Sequence, residues 1–260
     1  MTLQARAVVS DWAEEETRES APPLFQGVQR APKIALLLPT LNELHGLKAT
    51  LPAIDRSLVD EIVIVDGGSI DGTVEHAMAE GLTVVGQIRP GLQFAVYDIA
   101  RALRCDCVIE FSPDGNCPAE LLPDIVAKLA AGYDLVVVSR YLDHARSHDD
   151  NLVSGFGNWL FTRLMRPLAP FPITDSLTMY RGYRRDILLD EDFAHYLKGP
   201  VLEPLVTGIA GLRKLRAIEI PGEEPMRIGG ETKRSILYNG SCVLLMIARL
   251  YLRKFLGLRL

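Results

Sequence analysis

Three short polar segments each follow a run of apolar residues and carry side chains suited to binding a cation or a polar ligand. They are Pro39-Thr-Leu-Asn-Glu43, Asp66-Gly-Gly-Ser-Ile-Asp-Gly-Thr73 and Ser112-Pro-Asp-Gly-Asn-Cys-Pro-Ala-Glu120. Their carboxylates, amides and hydroxyls accept hydrogen bonds or coordinate hard divalent cations. Each segment alone is also typical of a turn that leads into a helix, with a residue such as Asn42 or Asp71 as the helix cap.

The elements that must position these segments form an alternating pattern. Short β-branched runs bounded by Pro, Gly or Asp predict strands buried on both faces, at 34–38, 61–65, 82–85, 107–111 and 135–138. Helical spacing lies between them, at roughly 43–54, 73–80, 92–104 and 119–131. This alternation predicts an α/β fold with a mostly parallel sheet and helices on both faces. Because ligands bind outside the carboxyl ends of parallel strands, the three segments are expected to meet at one site.

After Arg140 the alternation weakens. The polar run at 141–151 predicts a surface loop, and its lack of fixed spacing argues against a metal site built from His144, His148, Asp149 and Asp150. Further helical patterns lie at about 155–166, 184–196 and 200–211, and a strand is predicted over Arg213–Ile220.

Composition excludes several classes of protein. The chain has 260 residues, is 48% hydrophobic and carries a net charge of −5. That hydrophobicity excludes an intrinsically disordered chain, and four cysteines are too few for a disulfide scaffold. The negative charge disfavours nucleic acid as a partner. With no secretory signal pattern at the start, we expect a reducing, cytoplasmic location.

Charge is divided unevenly along the chain, and this suggests three regions. We expect an N-terminal extension at 1–32, a single domain at 33–232 and a basic amphipathic helix at 233–260. Residues 211–260 hold 10 Lys or Arg against 4 Asp or Glu, a charge of +6, so the other 210 residues sum to −11. The terminal helix is predicted either to lie in a membrane interface or to pack on the domain or on a partner subunit.

The polar segments resemble those of the inverting, family-two glycosyltransferases of the GT-A fold, in particular the polyprenyl- and dolichyl-phosphate sugar (mannose) synthases. The first two segments match the family motifs Pro-x-x-Asn-Glu and Asp-(Asp/Gly)-x-Ser-x-Asp-(Gly)-Thr through Pro39, Asn42, Glu43, Asp66, Ser69, Asp71 and Thr73. The resemblance covers roughly residues 33–235. It implies a Rossmann-like sheet and a nucleotide pocket lined by these residues, with Asp66 accepting hydrogen bonds from the base.

The third segment departs from the family's metal motif, Asp-x-Asp extended as Asp-Ala-Asp-x-Gln. Asp114 matches the second aspartate and Asn116 the glutamine, whereas Ser112 replaces the first aspartate. The resemblance implies a divalent metal cofactor, and these oxygen ligands suit Mg²⁺ or Mn²⁺. With one carboxylate fewer, we expect the metal to bind more weakly when the donor's diphosphate is absent.

A second departure concerns the contact with the diphosphate. The family's Gly-Lys-Gly-x-Ala corresponds to the run that begins at Arg89, and Leu92 stands at the lysine position. Arg89 is then either a diphosphate contact or a solvated charge before a helix.

The second half of the chain supplies the implied acceptor side. Asp175 and Arg181 match an Asp-x-x-Ser-Gly-Phe-Arg segment in which Met179 replaces the glycine. Glu203 resembles an acidic residue near the acceptor pocket. In an Arg-x-x-Gly-(Glu)-Ser-Lys pattern, Arg227 and Lys233 are implied to contact phosphates, or they are ordinary surface cations.

The implied reaction is a single displacement at the anomeric carbon of a UDP- or GDP-sugar, with inversion, in which Asp114, Asp175 and Glu203 are the catalytic candidates. A polyprenyl phosphate at the inner membrane face is the favoured acceptor, and its anionic oxygen needs no strong base. A hydroxyl acceptor would need Asp175 or Glu203 as the base. The alternatives are a soluble glycosyltransferase acting on a small molecule or polysaccharide, with the terminal helix forming a homodimer, and a non-catalytic sugar-nucleotide binder.

Overall fold

Seven strands form one twisted sheet in the part of the chain that the structure describes. The computed structural model describes residues 30–150, 152–228 and 236–257. The strands are β1 (Ile34–Thr40), β2 (Glu61–Asp66), β3 (Thr83–Gly86), β4 (Cys107–Glu110), β5 (Leu135–Ser139), β6 (Arg181–Arg184) and β7 (Ala217–Pro221). Their order is β3-β2-β1-β4-β6-β5-β7, and β6 runs antiparallel to both of its neighbours. The prediction of a mostly parallel α/β sheet is confirmed.

Helices cover both faces of this sheet, as right-handed crossovers require. The helices are α1 (Leu44–Thr50), α2 (Thr73–Ala79), α3 (Leu92–Ala102), α4 (Leu122–Ala130), α5 (Leu152–Met165), α6 (Phe193–Tyr196), α7 (Leu202–Leu212) and α8 (Ile236–Leu256). One core lies between the sheet and α1, α2 and α4, and a second lies between the sheet and α3, α5, α6, α7 and α8. Successive β1 residues alternate between the two cores, which explains why the strand is apolar throughout.

The prediction of a helix at 184–196 is wrong. The chain there leaves β6, makes one short 3₁₀ turn at Arg185–Ile187 and forms only the four-residue helix α6. The sequence pattern hid β6 because its centre is a glycine between large polar residues. Gly182 is required there, since a Cβ atom would lie 2.6 Å from Ile125 Cγ2 of α4. The strand predicted over Arg213–Ile220 is β7, which starts four residues later.

The C-terminal helix α8 is part of the domain's second core. Val243, Met246, Ile247 and Leu250 are buried in it. Near the helix end, Tyr251 donates a hydrogen bond to the Leu164 carbonyl at 2.9 Å, and Arg253 pairs with Asp192 at 2.8 Å. Across the described residues, none of the helices combines the length and apolarity needed to cross a membrane.

Candidate active site

The loops that follow β1, β2 and β4 lie side by side at the carboxyl edge of the sheet. The parallel register pairs Thr40 with Asp66 and Leu37 with Glu110, so the three strands deliver their polar segments to one place. Helix α1 contacts the third segment directly. A Cβ atom on Gly46 would lie 2.3 Å from the Pro113 carbonyl oxygen, so only a glycine permits this approach.

Hydrogen bonds join the first two loops to each other. The Asn42 backbone N–H donates to Ser69 Oγ at 2.8 Å, and the side-chain Oδ1 of Asn42 accepts the Ile70 N–H at 2.9 Å. Two residues after Asn42, the Leu44 backbone N–H donates to Asp71 Oδ2 at 3.1 Å. Asn42, Ser69 and Asp71, which the sequence predicted to line a ligand pocket, thus hold the two loops in register.

The Asp71 carboxylate also binds Thr73, the first residue of α2. It accepts the Thr73 N–H at 3.1 Å and the Thr73 hydroxyl at 2.5 Å. Burial acts to raise the pKa of Asp71, but the hydrogen bonds from Thr73 and Leu44 hold it below the ordinary value. Asp71 is therefore a charged anchor for both loops.

Asp66 lies almost completely buried at the end of β2. Its Oδ2 accepts the N–H groups of Gly68 and Ser69 at 2.8 and 3.0 Å, and its Oδ1 accepts the Thr40 hydroxyl at 3.3 Å. These bonds preform the turn at 66–69. Pro39, half-buried on the neighbouring strand, pairs with Val65.

The third loop presents an oxygen-rich face. Asp114 is half-buried, and its Oδ1 accepts the backbone N–H of Asn116 at 3.1 Å. The Asn116 Nδ2 donates to Asp149 Oδ2 at 3.2 Å, whereas Asn116 Oδ1 is buried and has no hydrogen-bond partner among the described residues. Ser112, also half-buried, donates its backbone N–H to the Cys117 thiol at 3.3 Å. An unpaired buried oxygen beside a carboxylate fits a hard divalent cation.

Negative charge is concentrated around this loop. Burial raises the pKa of Glu43, the charges of Asp114 and Asp71 raise it further, and the charge of Arg227 lowers it. Within 30–150, 152–228 and 236–257, however, no cluster of three acidic, His or Cys side chains is placed to hold an ion. A cation here would therefore need further oxygen atoms from a ligand.

A segment at 222–228, which we call the strap, crosses the third loop. It leaves β7 with a hydrogen bond from the Gly222 N–H to the Ser139 carbonyl at 3.0 Å and ends with one from the Ile228 N–H to the Asp114 carbonyl at 2.5 Å. Arg227 of the strap donates to Asp149 Oδ2 from Nε at 3.1 Å and from a terminal nitrogen at 2.7 Å. Lys233, the second predicted phosphate contact, lies outside the described residues.

Arg89 precedes α3 and is engaged by that helix. Its guanidinium donates to both carboxylate oxygens of Asp98, at 2.9 and 2.5 Å, and lies 4.0 Å from the centre of the Phe94 ring. The Arg89 side chain is 46% exposed, and its predicted contact with the diphosphate stays a prediction.

Asp175 is fully buried against Arg140, the residue that directly follows β5. The Arg140 guanidinium donates to Asp175 Oδ2 at 2.6 Å and to Oδ1 at 3.0 Å, and the Thr178 N–H adds a bond to Oδ1 at 3.1 Å. Arg140 also reaches Glu224 of the strap at 3.1 Å. Both Asp175 oxygens are thus occupied by donors, an arrangement that suits a structural anion better than a proton acceptor.

Arg181, another predicted ligand contact, has no exposed surface. It donates to the carbonyls of Thr178 and Glu203 at 3.0 and 2.6 Å. The guanidinium therefore binds the protein's own backbone and joins the segment after Asp175 to the start of α7. Glu203, near the beginning of α7, is half-buried.

Three residues that bring the site together were not predicted from the sequence: Arg140, Asp149 and Glu224. Asp149 lies in the stretch at 141–151, which the sequence predicts to be a surface loop, and Arg140 directly precedes that stretch. The available signal was topological, because β5 also ends at the carboxyl edge where the other loops meet.

Comparisons with known proteins agree with this geometry. The profile of glycosyl transferase family 2 matches residues 35–190. An uncharacterized glycosyltransferase of Mycobacterium tuberculosis is 32% identical over 213 residues, which cover 82% of this chain and 94% of the relative. A dolichyl-phosphate hexose transferase of Haloferax volcanii is 29% identical over 228 residues, 86% of this chain and 96% of the relative.

Solved structures share the fold. Glucosyl-3-phosphoglycerate synthase of M. tuberculosis, in complex with Mn²⁺, UDP and phosphoglyceric acid, superposes with a TM-score of 0.58 at 21% identity, over 86% of this chain and 79% of that one. The family profile spans more than half of the 260 residues, and the motifs that carry it meet at one edge of the sheet. The chain therefore belongs to glycosyl transferase family 2 and is a nucleotide-sugar-dependent glycosyltransferase.

Proposed function

We propose that this enzyme transfers a sugar, with inversion, from a UDP- or GDP-sugar to a polyprenyl phosphate at a membrane surface. The observation that carries the proposal is an exposed apolar surface on α5 and α8, beside the loops of the candidate site. The hexose transferase of H. volcanii, named for dolichyl phosphate, supports the same acceptor class.

The third loop would hold the donor's divalent cation. Asp114 and Asn116 offer a carboxylate oxygen and an unpaired amide oxygen, and Ser112 lies in the same loop. Mg²⁺ or Mn²⁺ would neutralise the charge that develops on the diphosphate leaving group. The Mn²⁺ and UDP bound by the M. tuberculosis synthase support this role. Arg227, which reaches over the same loop, would add a charge-assisted hydrogen bond to the diphosphate.

The acceptor side favours a nucleophile that arrives without a proton to lose. Asp175, one of the two candidate bases, is buried with both oxygens bound to donors, chiefly Arg140. Taking a proton from a hydroxyl would require Asp175 to give up its ion pair. A phosphate monoester is already anionic near neutral pH, so it attacks without such a step.

Although Met165 near its end lies in the core, the N-terminal part of helix α5 exposes four large apolar residues, and two polar residues of the helix are buried. Leu152, Val153, Phe156 and Trp159 are 93, 59, 62 and 59% exposed. By contrast, Asn158 and Thr162 are buried, and Thr162 bonds to Ser176 at 3.0 Å. This is the reverse of the pattern of a water-facing helix. Exposed aromatic and aliphatic side chains of this kind suit a membrane interface.

Helix α8 adds to the same surface. Besides the stripe that it buries in the core, it exposes Leu237, Tyr238, Leu244, Leu245, Phe255 and Leu256. The two helices touch, since Phe161 Cζ lies 3.4 Å from the point where a Cβ of Gly240 would stand. Exposed cations stand at Arg163, Arg166 and Lys254, where they would face anionic lipid headgroups.

The apolar surface starts next to the site. Helix α5 begins two residues after Asp150, whose neighbour Asp149 holds Arg227. Helix α8 begins eight residues after Ile228, where the strap ends. A lipid anchored in the apolar surface could therefore bring its phosphate to the candidate site.

Vesicle flotation tests this surface. Because α8 contributes to the core, its deletion would unfold the domain, so the test uses point substitutions at exposed side chains. The double variant Phe156→Glu/Trp159→Glu should bind vesicles of phosphatidylcholine and phosphatidylglycerol at least about tenfold more weakly, since each large side chain contributes roughly 1.5–3 kcal/mol on burial. Its thermal midpoint should stay near that of the wild type because both side chains are exposed.

Met78→Glu is the matched control. Met78 is 59% exposed, as is Trp159, but it lies on α2 at the opposite face of the sheet. We expect this variant to bind vesicles as the wild type does. Wild-type protein that stays in the bottom fraction, and forms a dimer that Phe156→Glu/Trp159→Glu disrupts, would favour the soluble enzyme instead.

A further inference from the structure

Asp149 lies at the junction of the candidate metal loop and the strap. A single oxygen, Oδ2, accepts Asn116 Nδ2 at 3.2 Å and the Arg227 guanidinium at 2.7 and 3.1 Å. Its side chain is only 20% exposed. The Asp149 carboxylate thus joins its own loop to two other segments, whose contacting residues lie 33 and 78 positions away in the sequence.

The contact with Asn116 decides which end of that amide is free. A side-chain amide has one oxygen acceptor and one NH₂ donor, at opposite ends. Because Nδ2 is held by Asp149, Oδ1 must point the other way, where it is buried and has no partner among the described residues. Loss of Asp149 would let the amide rotate and offer an NH₂ group, which cannot coordinate a cation.

The contact with Arg227 keeps a cation beside the same loop. The guanidinium donates two hydrogen bonds to the Asp149 carboxylate, at 2.7 and 3.1 Å, and a competing anion such as a diphosphate would replace them.

We propose that Asp149 is a positioning residue for the divalent cation: it orients Asn116 with its oxygen free for the metal and holds Arg227 in reach of the diphosphate. This inference rests on the proposed function, since it assumes that a metal–diphosphate binds at the third loop. Residues of this kind behind a metal ligand commonly affect metal affinity by 10–100-fold.

The test measures Mn²⁺ binding by electron paramagnetic resonance, with saturating UDP or GDP and the full-length chain. Asp149→Ala should raise the Mn²⁺ dissociation constant about 10–100-fold. Asp149→Asn keeps an oxygen that can accept the Asn116 Nδ2–H, so its Mn²⁺ affinity should lie closer to that of the wild type. Asp143→Asn, at an exposed aspartate of the same loop, is the control and should leave Mn²⁺ affinity unchanged.

The outcomes separate this inference from the proposed function. If the wild-type chain binds Mn²⁺ but Asp149→Ala binds it equally well, the role of Asp149 is overturned and the proposed function stands. If the wild-type chain binds no Mn²⁺ with either nucleotide, both are overturned. Should Asp149→Ala fail to fold, Asp149→Leu takes its place with the same expected loss, because it has similar size and no polar atom.

Discussion

Glu110 and Arg181 are paired across β4 and β6, and both side chains are buried beneath α7. The Tyr183 hydroxyl donates to Glu110 Oε1 at 2.6 Å, while Arg181 holds the backbone of Thr178 and Glu203. Burial raises the pKa of Glu110 to about 8, and the charge of Glu203 adds to this effect. A neutral carboxyl group thus lies two residues before the candidate metal loop.

Glu110 should make the stability of the enzyme depend on pH. The ordinary pKa of a glutamate is about 4.5. Between that pH and about pH 8, Glu110 of the folded chain therefore retains a proton that the unfolded chain has released. Raising the pH across this window therefore favours unfolding. We expect the free energy of unfolding of the wild type to fall relative to Glu110→Gln as the pH rises, with no further loss above pH 8.

Urea unfolding at several pH values across that window measures the effect. Glu75→Gln, the same change at an exposed acid of α2, is the control and should follow the wild type. Parallel curves for the wild type and Glu110→Gln would show that Glu110 is not protonated in the folded enzyme.

At the scale of elements, the site depends on how closely α1 approaches the loop after β4. Gly46 allows the helix to touch the backbone of Pro113 and Asp114. The hydrogen bonds of Asn42 and Asp71 then fix the loop before α1 to the loop before α2. Three loops from distant parts of the chain are in this way held as one unit.

Gly46→Ala should destabilise the enzyme by about 1–3 kcal/mol, because the new Cβ would meet backbone atoms that cannot move separately. This loss should exceed the roughly 0.5–1 kcal/mol that Ala gains over Gly inside a helix. Gly155→Ala on α5 is the control. A Cβ there has no neighbour within 4 Å, so we expect a gain of about 0.5–1 kcal/mol. Equal effects of the two changes on the urea midpoint would argue against the close approach.

The elements also show what sequence patterns can and cannot predict. The five β-branched runs predicted strands because their two-sided burial leaves a continuous apolar signal. Strand β6 carries no such signal, since Arg181 satisfies its guanidinium through carbonyls that only the fold brings near. Asp149 was missed for a related reason: its function depends on contacts with Asn116 and Arg227, and no spacing in a polar loop encodes them.

The predicted site residues fall into two groups, and burial is what separates them. Asp114 and Asn116 could be identified because their spacing survives as a local turn in the structure. Asp175 and Arg181 also occupy motif positions, but burial turns them toward the protein itself. Residue type and spacing therefore indicated the place of the site, whereas burial decided which side chains stay available to a ligand.

For the molecule as a whole, charge is divided unevenly along the chain. The last fifty residues carry +6 against −11 for the rest of the chain. Helix α8 places the apolar part of this stretch both in the core and on the surface, next to the exposed aromatic side chains of α5. The exposed apolar residues of α5 and α8 thus form a surface that begins close to the candidate site.

The most direct test of the account is a transfer assay with purified enzyme, Mn²⁺, radiolabelled UDP- and GDP-sugars and a short-chain polyprenyl phosphate. We expect one of the donors to give a labelled product that partitions into organic solvent. Asp114→Ala should lower its rate about 10²–10³-fold, the loss typical when one group that stabilises transition-state charge is removed. Label that passes only to a water-soluble acceptor such as phosphoglyceric acid, with no lipid product from any donor, would contradict the account.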